Sequence, residues 1–292
     1  MTRVLALLLL PFLAVLASAA TAAPFRSDRI SVEVKGKGPD VVLIPGLSSS
    51  PRVWDTTVTA VPGYRYHIVH VAGFDGAAPG ANASGPVVAP VAEEIARYVA
   101  QARLRKPALV GHSLGGTWAM MVAARHPALA SKLMVVDMLP FMGAMFGGPA
   151  ATPDSLKPVA EQVRKGIASG TGDTRKTQIE QTIAGMVRTP SLRPAIVAQS
   201  LASDPAVSGQ AMYDLILADL RPGLATIKVP MEVLWVVPPN APVTPEQMAQ
   251  FYQLSYAGAP QAVLKRIPDS YHFIMLDQPA AFQAELKAFL AR

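Results

Sequence analysis

The chain has 292 residues, 51% of them hydrophobic and 16% charged, with a formal net charge of +6 and no cysteine. That length allows one large domain with a sizeable core, and the missing cysteines remove disulfides, thiolate metal sites and a cysteine nucleophile together. The basic residues are scattered, with no run and no interleaved aromatics, a pattern that argues for solubility and against nucleic-acid binding.

The first residues are Met1-Thr2-Arg3, then an apolar run from Val4 to Ala17, then small residues from Ser18 to Ala23. A basic start, an apolar stretch short of the ~20 residues that span a bilayer, and a small-residue cleavage region form the pattern of a secretory signal. Residues 1–23 are therefore expected to be removed. The mature protein is expected to be periplasmic or secreted, with no integral membrane anchor.

Alternation in Ile30-Ser31-Val32-Glu33-Val34 predicts an edge strand, and the turn Gly36-Lys37-Gly38-Pro39 leads into the wholly apolar Val41 to Ile44. A continuous apolar run suits a strand buried on both faces of a parallel sheet. Tyr66 to Val71 and Ala108 to Val110 read the same way, with an amphipathic helix over Val87 to Gln101 between them. A helix-like run, Thr117 to Arg125, and an apolar strand, Lys132 to Val136, come next. Strands and helices in alternation predict an α/β fold with a doubly wound, mostly parallel sheet.

The alternation stops after Asp137. A stretch rich in Met, Phe and Gly, Phe141 to Gly148, precedes helical segments broken by Pro158, Pro190, Pro194 and Pro205. An inserted helical cap over residues 139–222 is expected, dividing a core made of 24–138 and 223–292. The sheet pattern resumes with strands over Met231 to Val237 and Ala262 to Ile267, and with helices over Pro245 to Tyr256 and Gln278 to Leu290. Asp277 is expected to cap the last helix, with Pro279 in its first turn.

Between the strand ending at Val110 and the helix that follows stands Gly111-His112-Ser113-Leu114-Gly115-Gly116. A serine on so sharp a turn crowds its neighbours, so small residues are needed two before and two after it. The Leu114 N–H, at the helix start, then points to where an oxyanion would form. The strand, the Gly-x-Ser-x-Gly turn and the helix together resemble the nucleophile elbow of the α/β-hydrolase family.

That resemblance implies that Ser113 is the nucleophile and that its base lies in the loop after the last strand. There Asp269-Ser270-Tyr271-His272-Phe273 offers His272, in preference to His67, His70, His112 and His126. The family's commonest position for the acid falls in Leu234 to Pro242, where this chain has Asn240, a residue able to orient an imidazole but not to stabilise its charge. Other members carry the acid after the strand before the insertion, which is Asp137 here; it is the preferred acid, with Asn240 as the alternative position. The second oxyanion donor is expected at Leu47, in Ile44-Pro45-Gly46-Leu47, partnering Leu114. Pro45 stands where members often have histidine.

Serine rather than aspartate at 113 implies an acyl-enzyme. No metal-ligand spacing, dinucleotide fingerprint or phosphate loop is present, and neither cofactor nor metal is expected. Met138, Leu139, Phe141, Met142, Met145 and Phe146 make the start of the insertion apolar and adaptable, and 8 basic residues face 7 acidic ones between Pro140 and Pro222. A small hydrophobic ester-like substrate is expected, and with it an exported serine hydrolase of the carboxylesterase or lipase-like kind. Alternatives are a ligand-binding protein on the same fold with slow or no turnover, favoured by Pro45 and Asn240, and a serine-dependent amide, lactone or C–C hydrolase or acyltransferase.

Overall fold

The computed structural model describes residues 25–237 and 243–292. The expected signal segment and Asn240 lie outside the described residues.

Seven strands build the sheet: β1 (Ile30–Gly36), β2 (Asp40–Ile44), β3 (Arg65–Val71), β4 (Ala108–His112), β5 (Lys132–Val136), β6 (Met231–Trp235) and β7 (Ala262–Arg266). They lie in the order β1-β3-β2-β4-β5-β6-β7. The edge strand β1 runs antiparallel to β3, and every other neighbouring pair is parallel. The helices are α1 (Asp55–Ala60), α2 (Val88–Gln101), α3 (Leu114–Arg125), α4 (Ala144–Gly147), α5 (Pro153–Ser169), α6 (Gly172–Met186), α7 (Arg193–Ala202), α8 (Pro205–Leu217), α9 (Pro245–Ser255), α10 (Ile274–Asp277) and α11 (Pro279–Ala291).

The continuous apolar runs follow from burial on two faces. Successive side chains of a strand point to opposite sides. Val42, Ile44, Leu109, Leu133, Val135 and Val233 accordingly pack with Val91, Ile95, Trp118 and Tyr252 of α2, α3 and α9. Their neighbours Val41, Leu43, Val110, Met134, Val136 and Leu234 pack with Phe282, Leu286 and Phe289 of α11. Helices cover both faces, and the carboxyl ends of β2, β4, β5 and β6 open on one side, where ligands of such sheets bind.

Between β5 and β6 the chain runs through α4 to α8. Helices α4, α5 and α8 share a small core of their own with Phe141, Ala144, Leu156, Ala160 and Ile216, whereas Ile183 and Ile196 of α6 and α7 join the core beneath α11. The α8 side chain of Asp214 accepts from Val87 N and Val88 N at 2.6 and 3.1 Å, so the insertion supplies the cap of α2.

Two expectations are corrected. Pro158 does not break its helix but lies inside α5, whose start is secured by a capping box between Thr152 and Ser155 and whose Leu156 and Ala160 are buried. Asp277 does not cap α11, whose first residue follows Gln278 with no side-chain cap. Its carboxylate instead accepts from Arg188 N, Thr189 N and Tyr271 N at 2.9, 3.0 and 3.0 Å, because those loop amides have no ladder partner and a carboxylate satisfies several at once.

Candidate active site

Ser113 sits alone between β4 and α3 with φ 53° and ψ −126°, a conformation L-residues rarely take. Three backbone bonds hold it there: Ser113 N to Val136 O at 2.9 Å, Gly116 N to Ser113 O at 2.7 Å, and Thr117 N to Ser113 O at 3.3 Å. The flanking glycines are dictated by space. A Cβ on Gly111 would lie 2.1 Å from Gly115 O, and one on Gly115 would lie 2.1 Å from Ile44 O. Leu114 opens α3, so its N–H is among the donors that a helix start leaves without an intrahelical partner.

His272 comes from the loop after β7, as its place in the sequence requires. Its Nδ1 lies 2.6 Å from Asp137 Oδ2, and the two side chains are 21% and 11% exposed, shielded enough for the pair to act at reduced dielectric. With the proton on Nδ1 donated to the carboxylate, Nε2 is left as the acceptor nitrogen. Asp137, at the end of β5, has φ 51°, and its other oxygen, Oδ1, accepts from Val236 N at 3.2 Å and from the Tyr252 hydroxyl at 3.1 Å. A carboxylate holding three donors is fixed in orientation.

Two members of this cluster have roles that the motif does not announce. Tyr252 is buried on α9, stacked on Trp235 with centroids 5.2 Å apart, and burial pushes its hydroxyl well above the ordinary 10, so it remains a donor. His112 is fully buried, and its Nε2 lies 3.0 Å from the backbone oxygen of His272. Burial, with repulsion from His272 added, holds His112 well below the ordinary 6.5, so a neutral Nε2–H donates to that carbonyl and steadies the His272 loop. The remaining histidines serve elsewhere. His67 pairs with Asp40 and Tyr98, His70 with the Phe74 carbonyl, and His126 with Glu93.

The loop after β2 completes the wall around Ser113. A Cβ on Gly46 would come within 3.1 Å of Ser113 Cβ and 3.2 Å of His112 Nδ1, a fit tight enough that these neighbours would have to give way slightly, so the loop lies close against the elbow. Leu47 follows, half-buried. These residues line a cavity of about 650 Å³ that takes in Ser113, Asp137 and His272. Its walls include Leu139, Met142, Val163, Ile167, Met212 and Phe251, from the segment between β5 and α4 and from α5, α8 and α9. Phe141 packs into the α4–α5–α8 core instead, while Met145 and Phe146 are exposed, Met145 also reaching the cavity. Among the described residues no group of three or more His, Cys, Asp or Glu has a metal-holding arrangement, and no helix is long and apolar enough to cross a membrane.

A model of the alpha/beta hydrolase family matches residues 41–285, which span every part of this site. The chain belongs to the alpha/beta hydrolase family. This hydrolase is 30% identical over 215 residues to a pimeloyl-[acyl-carrier protein] methyl ester esterase of Vibrio atlanticus (strain LGP32), a match covering 70% of the chain and 78% of the relative. A protein of the same description from Vibrio vulnificus (strain YJ016) is 25% identical over 268 residues, covering 89% and 97%. Among solved structures, the hydrolase superposes on an esterase from Exiguobacterium antarcticum with TM-score 0.73 and 23% identity, over 90% of this chain and 96% of that one. An enol-lactonase from Burkholderia xenovorans LB400 aligns with TM-score 0.70 and 18% identity, over 90% and 96%. The likeness to these structures extends to the fold.

Proposed function

We propose that the hydrolase is an exported serine esterase that cleaves a small hydrophobic ester through an acyl-enzyme. The observation that carries this reading is the 2.6 Å contact of His272 Nδ1 with Asp137 Oδ2 beside the strained Ser113, within one largely apolar cavity. His272 Nε2 takes the proton of Ser113 Oγ as that oxygen adds to the ester carbonyl. The Leu47 and Leu114 N–H groups hold the oxyanion, and Asp137 stabilises the imidazolium. Collapse of the tetrahedral intermediate expels the alcohol, which takes the proton from His272, and leaves the acyl group on Ser113. Water then adds with His272 again as base, and the acid departs as Ser113 recovers its proton.

The esterase relatives support an ester as substrate, and the methionine-rich wall supports an apolar one. Residues 139–222 serve as the cap over the cavity, on the core made of 24–138 and 223–292. Export to the periplasm or beyond rests on the pattern of Met1 to Ala23.

Labelling with a fluorophosphonate probe and turnover of p-nitrophenyl esters test the chemistry. The wild type is expected to label and turn over, and Ser113→Ala to do neither. A folded wild type that neither labels nor hydrolyses ester would overturn the reading and favour ligand binding without turnover.

A further inference from the structure

The loop that carries Leu47 is held only in part by its own backbone. Ser48 has φ 52°, a region that costs an L-residue of the order of a kcal/mol, and the bonds inside the loop are Ser49 N to Gly46 O at 3.3 Å and Ser49 Oγ to Leu47 O at 3.3 Å. The support comes from the corner between α7 and α8. Gln199 Oε1 accepts from Ser50 N at 2.9 Å. The Ser208 and Ser48 hydroxyls are paired at 2.8 Å. Ser203 shares its hydroxyl hydrogen between Gln199 O at 2.9 Å and Ser48 O at 3.3 Å. Gln199, Ser203 and Ser208 are all buried, where an unpaired polar group is costly and a paired one fixes geometry.

The corner is itself fastened to the core. Asp204 N donates to Gly73 O at 2.7 Å, Gly76 N to Ala202 O at 3.1 Å, and Asp75 N to Ser203 Oγ at 2.9 Å. Val207 packs so tightly on the backbone at Gly73 that a Cβ there would lie 2.8 Å from it. A rigid corner therefore grips the loop at Ser48 and Ser50, on the two sides of Ser49 and within three residues of Leu47.

We infer that Gln199 and Ser208 are positioning residues for the hydrolytic step, which hold the 46–50 loop so that the Leu47 N–H meets the developing oxyanion. The inference rests on the role proposed for Leu47. It makes the α7–α8 corner part of the transition-state machinery as well as part of the cavity wall. An oxyanion donor acts on a charge that exists only in the transition state, so loosening it lowers kcat and kcat/KM together and leaves KM in place.

The test compares Gln199→Met, which keeps the side chain's length and loses the acceptor, Gln199→Glu, which retains an acceptor oxygen, and Ser208→Ala. Steady-state kinetics on p-nitrophenyl butyrate are paired with inhibition by an alkyl trifluoromethyl ketone, whose hemiketal oxyanion on Ser113 mimics the transition-state charge. Removal of a whole oxyanion donor costs 100-fold or more, so Gln199→Met and Ser208→Ala are expected to lose about 10-fold in kcat with KM unchanged, and a similar factor in ketone affinity. Gln199→Glu is expected to recover most of that loss. A Gln199→Met protein with a lowered thermal midpoint but wild-type kcat and ketone affinity would show mere packing and sink the inference. If Gln199→Met does not fold, amide hydrogen exchange of residues 46–50 in Ser208→Ala decides: faster exchange supports the bracing and unchanged exchange refutes it. A wild type without ester turnover would defeat the proposed chemistry, and the same exchange measurement would still decide whether the corner braces the loop.

Discussion

Tyr252 donates a 3.1 Å hydrogen bond to Asp137 Oδ1, the carboxylate oxygen opposite the one that meets His272. Helix α9 thereby steadies an acid that stands just after β5, and it does so through a hydroxyl that burial keeps protonated.

If Asp137 stabilises the imidazolium, Asp137→Asn is expected to lower kcat about 10⁴-fold, the scale seen when a triad carboxylate is made neutral. Tyr252→Phe removes only one of three donors to Asp137 and is expected to cost about 10-fold, the scale of a hydrogen bond to a charged group. Turnover of p-nitrophenyl acetate measures both. A wild-type rate in Tyr252→Phe would mean that Val236 N–H and His272 suffice to orient the carboxylate.

Gly115 is fixed by backbone on the opposite side, since an added Cβ would lie 2.1 Å from Ile44 O and 2.7 Å from Pro45 O. Neither oxygen belongs to a flexible side chain. Gly115→Ala is expected to destabilise the protein by about 3 kcal/mol or more, at the upper end of overpacking costs. The shift in urea midpoint reads this directly, and a midpoint within error of wild type would contradict the packing described for the elbow.

Buried histidines make stability depend on pH. Burial, and then the neighbouring His272, hold His112 well below 6.5, and burial lowers His67 in the same direction. The unfolded chain takes up these protons near pH 6.5 while the folded chain does not, so stability is present above that value and declines as pH falls below it. A histidine held well below its ordinary value, as His112 is, contributes a slope approaching about 1.4 kcal/mol per pH unit. Urea midpoints at pH 7.5 and 5.5 are expected to show the decline, and His112→Gln to show a shallower one. Equal slopes in the two proteins would mean that His112 is protonated in the folded state.

Met212 lines the cavity from α8 and also packs into the α4–α5–α8 core. Met212→Trp fills part of the space, so kcat/KM for p-nitrophenyl octanoate is expected to fall about 10-fold more than for the acetate, the discrimination that a few displaced methylenes provide. Equal losses on both esters would place the acyl chain elsewhere.

Much of the architecture was legible from local pattern. Largely apolar runs of three to seven residues marked β2 to β6 because a strand buried on both faces shows no alternation, and glycines two before and two after Ser113 marked the turn because no Cβ fits there. Pro158 and Asp277 misled for a related reason. Each was judged by its neighbours in the chain, whereas Pro158 is carried by the packing of α5 on α8, and Asp277 is drawn to amides 88 and 89 residues away.

The chain by itself determined the order of strands and helices and the place of Ser113, since these follow from backbone periodicity and sterics acting over a few residues, and the resemblance carried by the elbow singled out His272. Only the tertiary structure decided which groups meet. Asp137 and His272 are 135 residues apart, Asp137 and Tyr252 115, and Ser50 and Gln199 149. Their contacts depend on how the ends of β2, β5 and β6 and the helices above them are brought side by side. Side-chain pairing across such distances leaves no spacing in the sequence, because it is set by how whole elements pack.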